Sequence, residues 1–394
     1  VDHTLLPVMI VHEVSRQSIG RPWVTFAIDV FSRVILGMYL TLDAPSAMSA
    51  GMCISHAVLG KEKWLAGLDL KTVEWPCWGV MGSLHMDNAR EFRGNMLKAA
   101  CDEYNIDLLL RPVKTPHYGA HIERLMGTVS ERLKHLPGAT FSGPEEKGEY
   151  DSEGKATMSH AELEKWLVLF VAWYHKHLHS GIGTTPLQRW REGLLGTKSR
   201  PGRGLPARRL DEEKVRIDFM PFEERTVQDY GVVIDDIHYF HDVLRPWVNM
   251  PDPEHPKRKM SFRFRRDPRD VSRLYFLDPI GKRYVAIPYR DLGLPPASIW
   301  ELRAAKKIAR DEGRTSSDER GLFAIINQQR AIEDDSAEKT KAARRSQQKR
   351  LDHEKARKRK AIDLPGVSAP NPTGPAPKIG NYDPADVQPY EDEY

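Results

Sequence analysis

The stretch that decides the fold is VTFAIDVFSRVILGMYLTL, residues 24–42. It contains two apolar runs, VTFAIDVF and RVILGMYLTL, and a tight turn near Ser32 separates them. Runs of this length that are rich in β-branched and aromatic residues, on both sides of a turn, are typical of paired strands. The stretch therefore predicts a hairpin of two apolar strands.

Strand and helix patterns alternate on both sides of this hairpin. The apolar run from Leu5 to Val11 predicts a first strand, and WGVMGSLHMD (78–87) predicts a short buried strand that ends at Asp87. A further strand is predicted for IDLLLRPV (106–113). Strands that are interspersed with helices predict an α/β domain.

The helices are predicted from apolar spacing and from capping residues. Helices are expected over residues 46–59, GNMLKAACDEYN (94–105) and AHIERLMGTVSERLKHL (120–136). In the last of these, apolar side chains recur with the 3.6-residue period of a helix, at Ile122, Leu125, Met126, Val129 and Leu133. Ser159 and Glu162 form a capping box that begins a long helix reaching about His177.

The composition changes after residue 196. Residues 197–210 form a basic linker rich in Pro and Gly, and residues 211–292 are dense in short β-type runs that predict a small all-β barrel or sandwich. Two helical stretches follow, and residues 339–360 are basic. The Pro-rich acidic end, residues 362–394, is expected to be disordered.

Composition and charge exclude several classes of protein. The formal net charge is only +4, and no window offers the roughly 18 uninterrupted apolar residues of a membrane span. The three cysteines are far apart and form no CxxC pair, which argues against a zinc ribbon and against a disulfide scaffold. The sequence begins without Met, so we expect an excised fragment or a processed start.

Three acids have the positions that a metal-dependent phosphoryl transferase needs. Asp87 ends a predicted strand, Glu123 lies in the first turns of a helix, and Asp2 begins or precedes the first strand. Two hard cations about 3.5–4 Å apart can run in-line phosphoryl transfer when carboxylate oxygens hold them. Spacing alone leaves two alternatives open. Acids occur at every spacing in such a chain, so the three acids need not be metal ligands, and Asp29 competes with Asp2 as the first acid.

The local sequence around these acids resembles the transposase and retroviral-integrase superfamily. The segments that carry the resemblance are MDNAREF (86–92) and RPVKTPHYGAHIER (111–124), with Ala89 where that family usually has Gly. The segments GRPWVTFAIDVFSRVILGMYL (20–40) and HIERLMGTVSERLKHLPGATFS (121–142) look closer still to the TnsB/TniA-type branch, which is related to the phage Mu transposase. The order of the family's motifs favours Asp2 over Asp29 as its first acid.

The resemblance implies a fold and a division into domains. It implies an RNase H-like integrase catalytic core followed by a small all-β barrel and a helical, partly disordered C-terminal arm. The expected spans are a core at 1–196, a linker at 197–210, a Mu-type β-barrel at 211–292, a basic helical arm at 293–361 and a Pro-rich acidic tail at 362–394.

The resemblance also implies a mechanism. Asp2, Asp87 and Glu123 would be the catalytic acids, with Asp2 and Asp87 holding one Mg²⁺ and Asp2 and Glu123 a second, and with Mn²⁺ as an alternative ion. Water would free a 3′-hydroxyl at the transposon end, and that hydroxyl would attack target DNA without a covalent enzyme intermediate. The alternatives are a hydrolytic nuclease of the same fold and a catalytically silent DNA-binding assembly protein.

Several basic residues are candidate DNA contacts. Strand alternation in SFRFRR (261–266) places Arg263 and Arg265 on one face and Phe262 and Phe264 on the other. The basic stretch 339–360 is expected either to bind DNA or to be a solvated helix. The full set of candidate DNA contacts is Lys114, His121, Arg124, Arg263, Arg265 and Arg266.

The implied partners follow from the same resemblance. They are transposon-end DNA, target DNA, further copies of the chain assembled on DNA, and an AAA+ ATPase regulator that would meet the C-terminal tail. The implied location is the bacterial cytoplasm, in association with the nucleoid, with no membrane.

Overall fold

The hairpin predicted from residues 24–42 lies in a three-stranded antiparallel sheet. A computed structural model of the chain describes residues 1–87, 95–110, 119–141, 150–209, 211–255, 257–311, 319–336 and 340–363. It divides the chain into two units, Val1–His353 and Glu354–Tyr394. The predicted disordered tail lies outside the described residues from residue 364 onward.

The strands fall into a first group before residue 202 and a second group after it. The first group is β1 (Asp2–Leu5), β2 (Ile10–Val11), β3 (Ser18–Gly20), β4 (Trp23–Ile28), β5 (Ile35–Thr41), β6 (Ser83–Met86), β7 (Asp107–Leu110), β8 (Gly196–Thr197) and β9 (Arg200–Pro201). The second group is β10 (Phe222–Thr226), β11 (Val232–Ile234), β12 (Ile237–Tyr239), β13 (Ser261–Asp267), β14 (Asp270–Leu277) and β15 (Tyr284–Pro288).

The helices alternate with the first strands and then dominate the end of the chain. They are α1 (Ala47–Val58), α2 (Glu62–Gly67), α3 (Asn95–Glu103), α4 (Ala120–Leu133), α5 (His160–Lys176), α6 (Pro186–Leu195), α7 (Glu212–Asp218), α8 (Ile299–Asp311), α9 (Glu319–Ser336) and α10 (Lys341–Asp363). A 3₁₀ helix spans Asp242–Trp247. Among the described residues, no helix is long and apolar enough to cross a membrane.

The first sheet has β4 in its centre. β4 pairs antiparallel with β1 on one side and with β5 on the other, so that Phe26 lies opposite both Asp2 and Met38. β6 and β7 form a separate parallel pair. The backbone nitrogen of Val1 donates to the carbonyl of His85 at 2.8 Å, which brings the start of β1 beside β6.

The helices pack their apolar faces onto this sheet as the sequence spacing predicts. The five apolar residues expected on one face of α4 are all buried in one core with Val24 and Phe26. The predicted capping box at the start of α5 is confirmed, because Ser159 accepts from the backbone nitrogen of Glu162 and the Glu162 carboxylate accepts from the backbone nitrogen of Ser159. The α/β character of this part is therefore confirmed.

The expected β-barrel is wrong for residues 211–292. The described strands there form a four-stranded sheet in the order β10-β13-β14-β15 and a hairpin of β11 and β12, which an antiparallel bridge between Tyr239 and Tyr289 joins to the end of β15, with no closed barrel. The reason is that helices cover the apolar side of the sheet. Leu302 of α8 and Phe323 of α9 share a buried core with Phe264 and Phe276. Strand patterns alone do not reveal which later helices complete such a core.

A buried carboxylate joins this second sheet to the first core. Asp218, at the end of α7, accepts hydrogen bonds from the hydroxyls of Tyr104 and Tyr284 at 2.8 and 2.6 Å. The Lys214 ammonium lies 2.6 Å from the same carboxylate, and the Arg265 guanidinium lies 3.9 Å from it. Buried charges are tolerated only when they are paired in this way.

The first half of the basic helix α10 packs against the first core. Arg345 donates to the backbone carbonyls of Ile19 and Leu42, at 3.1 and 2.9 Å. Lys349 lies 2.7 Å from the buried carboxylate of Asp43, and His353 lies 3.3 Å from it. These contacts show that residues 341–353 are packed against the first core, so this part is not a fully solvated helix.

We expect Asp218→Ala to lower the free energy of unfolding by about 3–5 kcal/mol, because two basic groups and two hydroxyls lose a buried partner. The measurement is urea unfolding followed by tryptophan fluorescence. Asp102→Ala, at an exposed position on α3, is the matched control and should behave like the native chain. A loss of less than about 1 kcal/mol for Asp218→Ala would contradict the structural role.

We expect the contacts of Asp43 with Lys349 and His353 to make the free energy of unfolding depend on pH. Burial alone would raise the pKa of Asp43, but the hydrogen bond from His353 and the charge of Lys349 outweigh it and lower the pKa from 3.8 to about 2. A carboxyl group whose pKa is depressed in the fold stabilises it above the unfolded-state pKa, and this stabilisation is lost as pH falls from about 4 to about 2. It amounts to about 2 kcal/mol.

The Asp43 prediction is tested by the difference in unfolding free energy between the native chain and Asp43→Asn. The difference should be constant near neutral pH and should vanish as pH falls toward 2. Asp69→Asn is the control, because the Asp69 side chain is 88% exposed. A difference for Asp43→Asn that does not change with pH would refute the assignment.

Candidate active site

Asp2 and Asp87 lie on strands whose ends meet. Asp2 is the first residue of β1 and is half-buried, and its Oδ1 accepts from the backbone nitrogen of His3 at 2.8 Å. Asp87 directly follows the last residue of β6 and is exposed. The hydrogen bond between Val1 and His85 links these two strands next to the two acids.

Glu123 lies in the first turn of α4, whose N-cap is Gly119. Its neighbours Ile122 and Leu125 are buried, and the helical period turns Glu123 to the exposed side. A carboxylate in the first turn of a helix is favoured by the positive end of the helix dipole. The helix therefore holds Glu123 on its exposed side.

The three acids suit a hard divalent cation by their chemistry. Carboxylate oxygens are the ligands that Mg²⁺ prefers. In the part of the chain that the structure describes, no group of three His, Cys, Asp or Glu side chains is placed to hold a metal ion. Residues 88–94, which follow Asp87, and residues 111–118, which precede α4, lie outside the described residues. The assignment of Asp2, Asp87 and Glu123 as ligands stays a prediction.

Asp29, the alternative first acid, has a role in the turn between β4 and β5. Its Oδ2 accepts from the backbone nitrogen of Ser32 at 2.7 Å and from the Ser32 hydroxyl at 2.6 Å. Its backbone carbonyl accepts from Arg33 at 2.9 Å. These hydrogen bonds account for an acid at this position without a metal.

The predicted DNA contacts on β13 divide by burial. Arg263 is exposed, pairs with Glu224 at 3.0 Å and lies over the ring of Phe222. Arg265 is 5% exposed and donates to the backbone carbonyls of Asp218 and Met220. The Arg265 guanidinium is therefore bound within the protein and is not exposed to a phosphate.

The Arg266 side chain is also buried and paired within the protein. It is 9% exposed and pairs with Glu223 at 2.7 Å and with Asp235 at 2.6 Å. A strand pattern cannot reveal this pairing, because both acids lie on other segments. Of the three arginines proposed on β13, only Arg263 presents its guanidinium to solvent.

The other predicted DNA contacts lie near Glu123. Lys114 falls outside the described residues. Arg124 is exposed and His121 is half-buried, both in the first turn of α4. Burial lowers the pKa of His121, and the positive charges of Arg33, Arg124 and His179 lower it further. Arg33 and His179 lie on other segments than α4, so the local sequence does not reveal their effect on the pKa of His121.

Two protein-family models match separate segments of the chain. Residues 1–138 match the model described as "TnsB C-terminal domain", and residues 216–287 match the model described as "Mu transposase, C-terminal". Two curated relatives are transposition proteins. The transposase for transposon Tn552 of Staphylococcus aureus is 27% identical over 190 residues, which are 48% of this chain and 36% of that protein.

The second relative is the transposon Tn7 transposition protein TnsB of Escherichia coli. It is 23% identical over 360 residues, which cover 83% of this chain and 49% of that protein. The chain thus spans about half or less of the length of these relatives.

Two solved structures also overlap with the chain. The catalytic core domain of BIV integrase is 14% identical, has a TM-score of 0.26 and covers 48% of this chain and 91% of its own. The simian T-cell lymphotropic virus intasome with a PP2A regulatory subunit is 13% identical and has a TM-score of 0.28. The match covers 74% of this chain and 79% of that chain.

The two family models and the two transposase relatives agree with each other and with the motifs around Asp87 and Glu123. On these matches, two separate segments of the chain are similar to the TnsB/Mu-type DDE transposases.

Proposed function

We propose that this chain is the catalytic part of a DNA transposase, which cleaves DNA at transposon 3′ ends and transfers the freed strands into target DNA. The observation that carries the proposal is the hydrogen bond from Val1 to His85, because it links the strand that begins with Asp2 to the strand that ends before Asp87. The family models matched by residues 1–138 and 216–287 support the same function.

We further propose that the first core has the RNase H-like fold. Three antiparallel strands lie in the order β5-β4-β1, and the parallel pair β6 and β7 extends this order if β6 lies next to β1. The link between Val1 and His85 supports this placement. An α/β sheet of this kind presents acids from neighbouring strand ends at one edge.

The chain's own residues would bind the metal ions and hold the carboxylate ligands in place for the reaction. Asp2 and Asp87 would hold one Mg²⁺, and Asp2 and Glu123 a second, with Mn²⁺ as the alternative ion. When bound, such ions activate the attacking oxygen and stabilise the leaving oxygen. The strand pairing of Asp2 and the helix that carries Glu123 fix the two carboxylates on rigid elements, which catalysis by positioning requires.

The partners follow as part of the same proposal. DNA ends and target DNA would be the substrates, in the cytoplasm of a bacterium and in contact with its nucleoid. Several copies of the chain would assemble on the DNA. The tail, residues 362–394, would meet an AAA+ ATPase regulator.

We expect Asp87→Asn and Glu123→Gln each to reduce joining of end DNA to target DNA by at least about a hundredfold, since each removes one ligand charge. DNA binding in a gel shift should persist, because phosphate contacts elsewhere supply affinity. The measurement is product formation from labelled end DNA with Mg²⁺, with and without target DNA. A nuclease would nick the labelled strand and never join it.

Two exposed acids provide the controls for this experiment. Glu131→Gln lies on the same helix as Glu123, and Asp102→Asn lies on α3. Both should join DNA like the native chain. Normal joining by Asp87→Asn or Glu123→Gln would refute the ligand assignment, and no joining by the native chain would favour the silent assembly protein.

We expect Asp2→Asn and Asp29→Asn to fail in different ways. Asp2→Asn should lose joining with little change in the free energy of unfolding, because it removes a ligand. Asp29→Asn should retain joining and lose about 1–2 kcal/mol of stability, because Ser32 loses a charged acceptor. Joining assays and urea unfolding of the same two variants decide between them. The reverse pattern would make Asp29 the first catalytic acid.

A further inference from the structure

Helix α5 has a second apolar face, opposite the face that packs into the first core. Leu163, Leu167 and Val171 are buried in that core. On the other side of the helix, Leu169 is 50% exposed and Trp173 is 36% exposed. A helix that is apolar around most of its circumference is typical of a helix that is buried on both sides. The exposed face therefore indicates a partner.

The exposed face is a regular stripe along the helix. Its residues follow one another at intervals of four, three, four and three, and they are Glu162, Trp166, Leu169, Trp173 and Lys176. This spacing is that of a seam along which two helices pack. We call these five residues the α5 stripe. Apolar side chains occupy its middle, and opposite charges occupy its two ends.

The aromatic side chains of the α5 stripe are held in place within the chain itself. The Arg132 guanidinium of α4 lies over the ring of Trp173, 4.0 Å from its centroid, and His177 stacks on the same ring at 4.6 Å. Two turns earlier, Trp166 stacks on Phe170, with 6.0 Å between the ring centroids. Rigid aromatic side chains lose little rotamer freedom on binding, and they are common anchors of protein interfaces.

The charges at the two ends of the α5 stripe can take a further partner. The Glu162 carboxylate accepts from the backbone nitrogen of Ser159 at 2.7 Å and from Arg16 at 3.0 Å. Both of these hydrogen bonds use Oε2, so Oε1 can still accept. The Lys176 ammonium lies 3.2 Å from Glu74, and both side chains are more than half exposed. Exposed ion pairs contribute little to stability, so Lys176 can exchange this partner for another.

A second copy of the same helix, running in the opposite direction, supplies matching charges. About a two-fold axis at Leu169, the two copies of Leu169 face each other, and Glu162 faces Lys176 of the second copy. The symmetry repeats this charge pair on both sides of the axis. A partner of different sequence would have to present the same charges in the reverse order, whereas a second copy does so by symmetry.

The aromatic side chains find suitable neighbours in the same arrangement. Trp166 faces Ala172 of the second copy, so a large side chain lies against a small one. Lys165 faces Trp173 of the second copy, where its ammonium can lie over the indole ring. The sequence of α5 is therefore complementary to itself in shape as well as in charge.

We propose that the α5 stripe is a dimerisation surface, on which α5 of a second copy of this chain packs antiparallel about a two-fold axis at Leu169. The contact needs neither DNA nor the candidate acids, so the inference goes beyond the proposed function. A single pair of helices buries less area than the roughly 1,000 Å² of a stable interface. We therefore expect a weak dimer, with a dissociation constant on the order of 10–100 µM.

Sedimentation equilibrium of the full chain, without DNA and without Mg²⁺, tests this dimer. The native chain should shift from monomer to dimer over concentrations around the expected dissociation constant. Leu169→Glu should raise that constant at least about tenfold, because it places two carboxylates against each other on the axis. Lys176→Glu should raise it about two- to tenfold, because it removes a charge pair that the symmetry repeats. Leu195→Glu, at an exposed leucine of α6, is the matched control and should dimerise like the native chain.

Cross-linking tests the orientation of the two helices. The three native cysteines are buried, so a single introduced cysteine can be cross-linked selectively with a short bis-maleimide. Leu169→Cys should give a covalent dimer, because the axis brings the two copies of residue 169 together. Lys176→Cys should not, because antiparallel packing separates its two copies by about 21 Å along the helix. Leu195→Cys is the control and should give no covalent dimer.

Thermal unfolding separates loss of the dimer from loss of the fold. At concentrations where the native chain is monomeric, Leu169→Glu should melt like the native chain, and if it does not, the Leu169→Cys arm decides. A native chain that stays monomeric at every concentration would overturn the proposal and would leave the α5 stripe to a different protein. A dimer that persists in a folded Leu169→Glu would also overturn it. Equal cross-linking by Lys176→Cys and Leu169→Cys would overturn the antiparallel arrangement.

The dimer and the proposed function can fail separately, because association is measured without DNA. If Asp87→Asn joins DNA normally while Leu169→Glu loses the dimer, the acid assignment fails and the dimer stands. If Asp87→Asn abolishes joining while the native chain stays monomeric, the dimer fails and the proposed function stands.

Discussion

The register of β4 between its two neighbours is the constraint on which the rest of the first core depends. Phe26 lies opposite Asp2 on one side and Met38 on the other, and its ring is fully buried. Side chains alternate between the two faces of a strand, so a shift of one residue would move every side chain of β1 to the opposite face. The buried apolar face of β4 thus also decides where the Asp2 carboxylate lies.

The local patterns of the sequence were enough to predict the elements next to Asp87 and Glu123, whereas the expected first strand from Leu5 to Val11 is two short strands, Asp2–Leu5 and Ile10–Val11. The apolar spacing of α4 was confirmed residue by residue, because one face of an amphipathic helix must be buried whatever lies opposite it. The end of a strand at Asp87 and the capping box at Ser159 were likewise readable from short segments. These features depend on the nearest few residues only.

The features that the sequence did not reveal depend on distant segments. A barrel was expected because the strand runs are short and numerous, yet helices α8 and α9 cover the sheet instead. Arg265 looked like a surface residue on an alternating strand, but Asp218, 47 residues earlier, draws it inside.

The anchor between α10 and Asp43 has a consequence for how the molecule unfolds. His353 and Asp43 are 310 residues apart, so their contact closes a loop that contains most of the chain, including the whole second core. The contact therefore links residues on both sides of the second core. If the first core unfolds, α10 loses its support. The second core then also loses a contact, because the ring of Trp300 on α8 stacks on His353. These contacts couple the two cores, although each has its own apolar interior.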